Sequence, residues 1–285
     1  MKTRISAVVV FAMLVLGGVG CSSSSSPGKE DSGTQQKRDD SGNIPDNDST
    51  TPSGAVIAGH EAIASFGDIP SSYFQKIRDD YKFFYGHTSH GNQIMVGLRA
   101  LAEENADYNL PTFEEVSEDL GGVGDTAWAD TTRNYLNSGN SYNVAIWSWC
   151  GGVSEHTSAG IQTYLNTMSQ LETEYPWVVF VYMTGHTDGT GASGTLRTRN
   201  AQIREYCQNN NKVLFDFEDI ESWDPGGTYY PDTDDACGWC EDWCSKASSC
   251  PSCSEECDHS HCFNCYQKGK AFWWMMARLA GWGGK

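Results

Sequence analysis

The chain has few basic side chains for its size. Its 285 residues include 19 lysines and arginines against 37 aspartates and glutamates, and the formal net charge is −18. Nucleic acids and anionic lipid surfaces attract positive protein charge, which this composition does not supply. The sequence therefore argues against a nucleic-acid partner and against electrostatic binding to a membrane. Such acidity is typical of a protein that stays soluble outside the cell.

After residue 16 the chain also lacks any apolar run that is long enough to cross a bilayer. The early run, residues 5–16, is short and follows the basic residues Lys2 and Arg4. Small residues then lead to Cys21, a pattern that resembles a bacterial lipoprotein cleavage site. We therefore predict that residues 1–20 are a signal peptide and that Cys21 carries the lipids. An ordinary signal peptide with an incidental cysteine is the alternative.

Residues 21–54 contain little that is apolar and are rich in Ser, Asp, Asn, Gly and Thr. Such a segment cannot bury enough surface to offset the entropy of ordering it, so we predict a disordered tether. Ser22, in place of an aspartate after the cysteine, resembles the proteobacterial signal for the outer rather than the inner membrane. We expect a protein held by its lipid in the bacterial cell envelope, facing the periplasm or the exterior. One folded domain spans residues 55–285.

Ten cysteines remain after Cys21, and eight of them form a dense insertion at residues 237–265. The eight are Cys237, Cys240, Cys244, Cys250, Cys253, Cys257, Cys262 and Cys265. In an exported protein this density predicts a disulfide framework. Cys150 and Cys207 are expected to join it, paired with each other or with the insertion. The C-x-x-C spacings leave zinc binding as the alternative.

Helical patterns and short apolar runs alternate along the folded part. The predicted strands are 82–85, 143–149, 177–183 and 212–217. The predicted helices are 71–81, 91–104, 128–136, 154–174, 195–208 and 267–282. Strands that are apolar throughout and are followed by helices predict a parallel sheet covered on both faces. The expected fold is an α/β three-layer sandwich with a mainly parallel, flavodoxin-like sheet, plus the C-terminal disulfide-rich loop.

In such a sheet the ligand site lies beyond the carboxyl ends of the strands. One of these ends, residues 86–91, delivers Ser89 to the start of a helix, where N–H groups and the helix dipole favour developing negative charge. Ser89 is therefore our candidate nucleophile. A simple helix N-cap is the alternative role for this serine.

Other loops at the same edge carry further chemistry. Gly151 belongs to a glycine pair whose N–H groups can approach an oxyanion, and a later loop contains His186 and Asp188. His87 and His90 flank the candidate serine as possible accessory groups. These histidines, together with His186 and Asp188, are alternatively a metal site.

Two overlapping acid-x-x-His pairs precede the last helix, Glu256 with His259 and Asp258 with His261. Such spacing lets one turn supply a base and the acid that orients it. Two surface histidines on a disulfide loop are the alternative.

The order of these motifs resembles the SGNH (GDSL-like) hydrolases, and more closely a group of exported bacterial proteins related to them. The shared stretches include Tyr-Gly-His-Thr-Ser-His-Gly at 85–91, Trp-Ser-Trp-Cys-Gly at 147–151 and Thr-Gly-His at 184–186. The resemblance implies a flavodoxin-like sandwich that hydrolyses esters, often acetyl esters of carbohydrate, without a cofactor. A non-enzymatic surface lipoprotein of the same fold, binding glycan or a metal through His87, His90 and His186, is the alternative.

Carried over by position, Ser89 matches the nucleophile and Gly151 the oxyanion glycine. His259 matches the base, with Glu256 or Asp258 as its acid. Thr88 stands where the family has an aspartate before the serine, and His186 replaces the oxyanion asparagine.

Overall fold

The computed structural model describes residues 54–284, so the predicted signal peptide, the lipidated Cys21 and nearly all of the tether lie outside the described residues. The strands are β1 (Val56–Ala58), β2 (Lys82–Gly86), β3 (Thr112–Val116), β4 (Val144–Trp147), β5 (Val179–Met183) and β6 (Val213–Phe215). The helices are α1 (His60–Ala64), α2 (Ser71–Asp80), α3 (Ser89–Glu104), α4 (Ala127–Leu136), α5 (Ser158–Glu174), α6 (Thr195–Asn209), α7 (Phe217–Glu221), α8 (Gly238–Lys246) and α9 (Cys262–Leu279). None of these helices combines the length and the hydropathy needed to cross a bilayer.

All six strands form one parallel sheet in the order β1-β6-β5-β4-β2-β3. Without the edge strand β1, this is the flavodoxin-like order. Connections between parallel strands are right-handed. Helix α3 leads from β2 outward to β3, whereas α5 and α6 lead in the opposite direction along the sheet. Helix α3 therefore covers one face of the sheet, and α5 and α6 cover the other. The last helix, α9, packs on α3. The predicted three-layer α/β/α sandwich is confirmed.

The two edge strands were not predicted. β1 has only three residues, too few for a periodic signal. β3 carries Glu114 and Glu115 on an edge that is only partly buried, so its sequence lacks the continuous apolar run of an inner strand. Their sheet positions come from pairing with β6 and β2, which local sequence does not specify.

Helices α3 and α9 approach each other so closely that only glycine fits at their contact. A Cβ atom on Gly97 would lie 1.8 Å from the carbonyl oxygen of Cys265, and one on Gly269 would lie 2.6 Å from the backbone of Gly97. This contact fixes the first turns of α9 against α3. It therefore also fixes the cysteine-rich segment that leads into α9 relative to the residues at the start of α3.

The eight clustered cysteines form four disulfides, as predicted: Cys237–Cys240, Cys244–Cys250, Cys253–Cys262 and Cys257–Cys265. These bonds use every sulfur of the zinc-like spacings, so zinc has no thiolate to bind there. The expectation that Cys150 and Cys207 join the framework is wrong, since both are free thiols. Each clustered cysteine finds a partner within nine residues of sequence, whereas Cys150 lies in the loop after β4 and Cys207 lies on α6.

Candidate active site

The candidate site lies where the strand order reverses, between β2 and β4. After β2 the chain crosses to the edge strand β3, whereas after β4 it proceeds in the opposite direction. The carboxyl ends of two such strands diverge and leave a crevice, the usual ligand site of open α/β sheets. The loop after β2 supplies Ser89 and the loop after β4 supplies Cys150 and Gly151.

Ser89 is the first residue of α3 rather than its N-cap. Thr88 occupies the N-cap position, and its hydroxyl donates to Asp119 at 3.0 Å. The first backbone hydrogen bond of the helix runs from the Asn92 N–H to the Thr88 carbonyl, 2.9 Å. The hydroxyl of Ser89 is therefore not used for capping, and its own N–H lies among the unpaired donors of a helix start.

His259 brings its imidazole to Ser89 from 170 residues away in sequence. Its Nε2 lies 2.9 Å from the Ser89 Oγ, within the range of a nucleophile–base hydrogen bond. The backbone of His259 has φ of +61°, a left-handed conformation that non-glycine residues adopt rarely. Strain of this kind persists only where the surroundings impose it.

Three connections hold the His259 backbone in its left-handed conformation. The Asp258 carbonyl accepts a hydrogen bond from the Gln93 side chain at 2.5 Å, and the Asp258 carboxylate accepts one from Asn92 at 3.0 Å. The disulfide Cys257–Cys265 joins the turn to α9. The turn around His259 is thus fastened to both α3 and α9, the two helices whose contact is fixed by glycines.

Neither predicted acid orients a site histidine in this structure. Glu256 is exposed, and no hydrogen bond joins it to His259 among the described residues. Asp258 binds Asn92 instead. His261 uses its Nδ1 to accept the Phe263 N–H at 3.0 Å, which caps α9. The described geometry is a Ser89–His259 pair without a carboxylate on the histidine.

A second cluster lies directly beside this pair. His90 is buried, its Nε2 donates to the Asp235 carboxylate at 3.0 Å, and its ring stacks on that of His186 with centroids 3.8 Å apart. Burial, followed by the neighbouring His186, lowers the pKa of His90 to about 4, although Asp235 opposes this shift. His90 is therefore a neutral imidazole at physiological pH, with its Nδ1 lone pair free to accept.

The free thiol of Cys150 joins the two clusters. Its Sγ lies 3.2 Å from the Ser89 Oγ and 3.5 Å from the His90 Nδ1. The side chain is half-buried, so reagents can reach it. Any group added to this sulfur would occupy the space beside the Ser89 hydroxyl.

The candidate oxyanion groups lie on the same side. Gly151 and Gly152 have φ of +94° and +77°, and a Cβ atom on Gly151 would lie 4.0 Å from the His186 Nε2. The His186 Nδ1 donates to the Thr187 carbonyl at 2.8 Å, so the Nε2 of the neutral ring carries a lone pair. His186 can donate to an oxyanion only as an imidazolium, which leaves backbone N–H groups as the available donors.

Two predicted accessory residues make no contact with the His90 and His186 rings among the described residues. The His87 Nε2 binds Glu115 at 3.0 Å, and both of these residues line the cleft beside Ser89. Asp188 accepts from the N–H and the hydroxyl of Thr190, so it stabilises its own turn.

A cleft of about 460 Å³ opens beside the serine. This nucleophile cleft is lined almost entirely by polar side chains: His87, Thr88, Ser89, Asn92, Glu115, Val116, Ser117 and Asp258. Its walls offer hydrogen-bond acceptors and donors beside a similar share of carbon surface, and a ligand with both hydroxyl groups and C–H faces matches them.

A buried ion pair connects α3 and α9 with the loop that carries His186. Lys268 and Glu221 are both fully buried and 2.7 Å apart, and burial lowers the pKa of Lys268 while Glu221 opposes that shift. Lys268 also binds the Gln93 side chain, and Glu221 accepts from the N–H and the hydroxyl of Thr187. Gln93, which holds the His259 turn, and the loop carrying His186 thus belong to one polar network.

Sequence reasoning missed Asp235 and the free state of Cys150. Asp235 belongs to the acidic segment 232–235, and nothing in that segment distinguishes the carboxylate that reaches His90. A signal for Cys150 did exist, because eight of the ten cysteines cluster and the two outliers are far from them in sequence.

No family model matches this chain, and no curated protein sequence is significantly similar to it. Function is therefore inferred from the geometry of the site and from the sequence motifs around it.

Proposed function

We propose that this protein is a serine ester hydrolase of the SGNH type, with Ser89 as nucleophile and His259 as general base. The observation that carries the proposal is the 2.9 Å contact between the His259 Nε2 and the Ser89 Oγ at the strand-order switch point. Two residues that are 170 positions apart meet there in the geometry that a nucleophile and its base require.

In the reaction, the Ser89 Oγ attacks the ester carbonyl carbon while its proton passes to the His259 Nε2. The N–H groups of Ser89, at the start of α3, and of Gly151 are the candidate donors to the oxyanion. Collapse of the tetrahedral intermediate releases the alcohol, which takes the proton from His259. Water then attacks the acyl-serine by the same route and regenerates the hydroxyl.

We favour an acylated carbohydrate as the substrate class. The hydrogen-bonding side chains of the nucleophile cleft suit a hydroxyl-rich alcohol portion of the ester. The resemblance to SGNH hydrolases points to the same class.

The test compares wild type, Ser89→Ala and Ser117→Ala against small acyl esters and a fluorophosphonate probe. Ser117 is the matched control because it lines the same cleft without a described histidine contact. We expect Ser89→Ala to lose both hydrolysis and labelling, and Ser117→Ala to keep both. Hydrolysis by Ser89→Ala at the wild-type rate would refute the mechanism.

We propose further that Cys21 is lipidated and that the domain is held in the cell envelope, in the outer membrane rather than the inner. The four disulfides are compatible with an oxidising compartment. Metabolic labelling with a radioactive fatty acid tests the anchor. Label in wild type and its loss in Cys21→Ala are expected, and equal membrane association of both proteins would contradict it.

A non-enzymatic metal site is the second candidate function. His90, His186 and Asp235 offer ligand atoms that all lie within 4.8 Å of one another. Against it, the nearly parallel His90 and His186 rings direct their in-plane lone pairs side by side rather than toward one point. Elemental analysis decides: stoichiometric metal that His186→Ala loses would favour this candidate over the hydrolase.

A further inference from the structure

A second cleft, of about 500 Å³, opens at the other end of the same sheet edge. We call it the aromatic cleft. It lies between α1, the segment after α7, α8 and the first turns of α9, and its main lining residues are His60, Trp223, Trp243, Phe263, Gln267 and Lys270. The proposed hydrolase reaction uses none of them.

The aromatic cleft is lined by an amide without hydrogen-bond partners. Gln267 is 4% exposed, and no side-chain hydrogen bond satisfies its buried Oε1 among the described residues. Phe263, Gln267 and Lys270 follow one another at helical spacing, so they form one face of α9 toward the cleft. A buried amide without partners is costly, and a ligand hydroxyl that bound this amide would reduce that cost.

The aromatic wall is held in place before any ligand arrives. The Trp223 ring stacks on His60 with centroids 4.5 Å apart, and the His60 Nδ1 lies 2.7 Å from the Asp219 carboxylate. A Cβ atom on Gly226 would lie 3.3 Å from the Trp243 ring, so Trp243 packs on the segment that follows Trp223. Rigid aromatic surfaces of this kind bind ligands at a low entropic cost.

Flat aromatic side chains beside one unpaired amide match a sugar ring, whose C–H faces stack on aromatics while its hydroxyls form hydrogen bonds. The charged lining groups are of both signs, Glu61 and Asp224 against Lys270, so an anionic ligand gains little. We propose that the aromatic cleft is a binding subsite for a neutral oligosaccharide.

The aromatic cleft lies close enough to Ser89 for the subsite to hold a substrate chain during the proposed reaction. It lies beyond the ends of β6 and β1, which are three and four strand spacings from β2, or roughly 14–19 Å along the edge that carries Ser89. A glycan chain held there would present its acylated units to Ser89, and remote binding energy of this kind can assist the reaction. This role rests on the proposed function, whereas oligosaccharide binding does not.

The test measures binding of cellohexaose, xylohexaose and chitohexaose to the purified protein by calorimetry and tryptophan fluorescence. The variants are Trp243→Ala, which removes a wall, and Gln267→Leu, which removes the amide oxygen at similar size. The control is Trp177→Ala, because Trp177 is 65% exposed just before β5, away from the cleft. Near-ultraviolet circular dichroism checks that each variant folds.

We expect at least one hexasaccharide to bind, with affinity at least tenfold weaker in both cleft variants and unchanged in Trp177→Ala. Binding should also persist in Ser89→Ala, so a failed hydrolase assay would leave this result standing. Absence of binding for all three sugars would overturn the proposal, and so would equal binding by wild type and the folded cleft variants.

Discussion

The Nε2 of His259 lies 2.9 Å from the Oγ of Ser89, and His259 holds this position with a left-handed backbone, φ +61°. The disulfide Cys257–Cys265 and the side chains of Asn92 and Gln93 hold the turn in place. Each of these contacts gives an expected outcome for a variant of the protein.

Loss of the base should abolish most of the activity. His259→Gln removes the acceptor of the Ser89 proton, and a general base contributes typically 10²–10⁴-fold. We expect kcat for a small acyl ester to fall by about that factor while the fold is retained. His261→Asn is the matched control, since His261 caps α9 and does not contact Ser89. A similar loss in both variants would contradict the role of His259.

The two candidate acids should differ in effect. Asp258→Ala should disturb the turn, because it removes the carboxylate that accepts from Asn92, and we expect hydrolysis to fall by roughly tenfold. Glu256→Gln should leave hydrolysis near wild type, because Glu256 is exposed and does not contact His259. Steady-state kinetics of the two variants measure this. A large kcat loss in Glu256→Gln would instead make Glu256 the acid that orients His259 during the reaction.

Reduction should abolish the proposed hydrolysis before the sheet unfolds. The bond Cys257–Cys265 fastens the His259 turn, whereas the six strands contain no disulfide. We expect hydrolysis to disappear at lower reductant concentration than the far-ultraviolet circular dichroism signal. The Cys257→Ser/Cys265→Ser double variant should show the same loss, and Cys237→Ser/Cys240→Ser a smaller one. Full activity after complete reduction would rule this dependence out.

Alkylation of Cys150 should block Ser89. Within residues 54–284, iodoacetamide is expected to add one group to the native protein, at Cys150, because Cys207 is fully buried and burial raises the pKa of its thiol. The added group would lie beside the Ser89 Oγ, 3.2 Å from the sulfur, and prevent fluorophosphonate labelling. Cys150→Ala should resist the reagent and still be labelled. Intact mass and labelling measure both, and labelling of the alkylated wild type would contradict the expectation.

Protonation of His90 should destabilise the fold in weak acid. Its pKa is about 4 in the folded chain, below the ordinary value of 6.5, so the unfolded chain binds more protons between these values. The free energy of unfolding should therefore fall as pH drops from about 6.5 to about 4, by at most about 1.4 kcal/mol per pH unit from this group. His90→Gln should show a smaller slope in urea titrations with a chelator present. Equal slopes in both proteins would exclude His90 as the source.

Much of the fold was predictable because the inner strands are continuously apolar. β2, β4 and β5 each carry that pattern, and parallel strands with helical connections have few arrangements. The edge strands β1 and β3 were not predicted, because their own residues lack a strand pattern. They form strands by pairing with β6 and β2. Helix α9 begins at Cys262, five residues before its predicted start at 267, because the His261 side chain caps it there.

Local patterns in the chain suffice to predict the α/β class, the parallel sheet, the disulfide-rich insertion and the placement of Ser89 at a strand end. They suffice because apolar periodicity and cysteine density are local properties. The folded structure was needed to show that His259 meets Ser89, that Asp235 and not Asp188 lies on His90, and that Cys150 is a free thiol beside the serine. Those contacts join distant segments, and they depend on how α9 and its disulfides pack against α3, which no local pattern specifies.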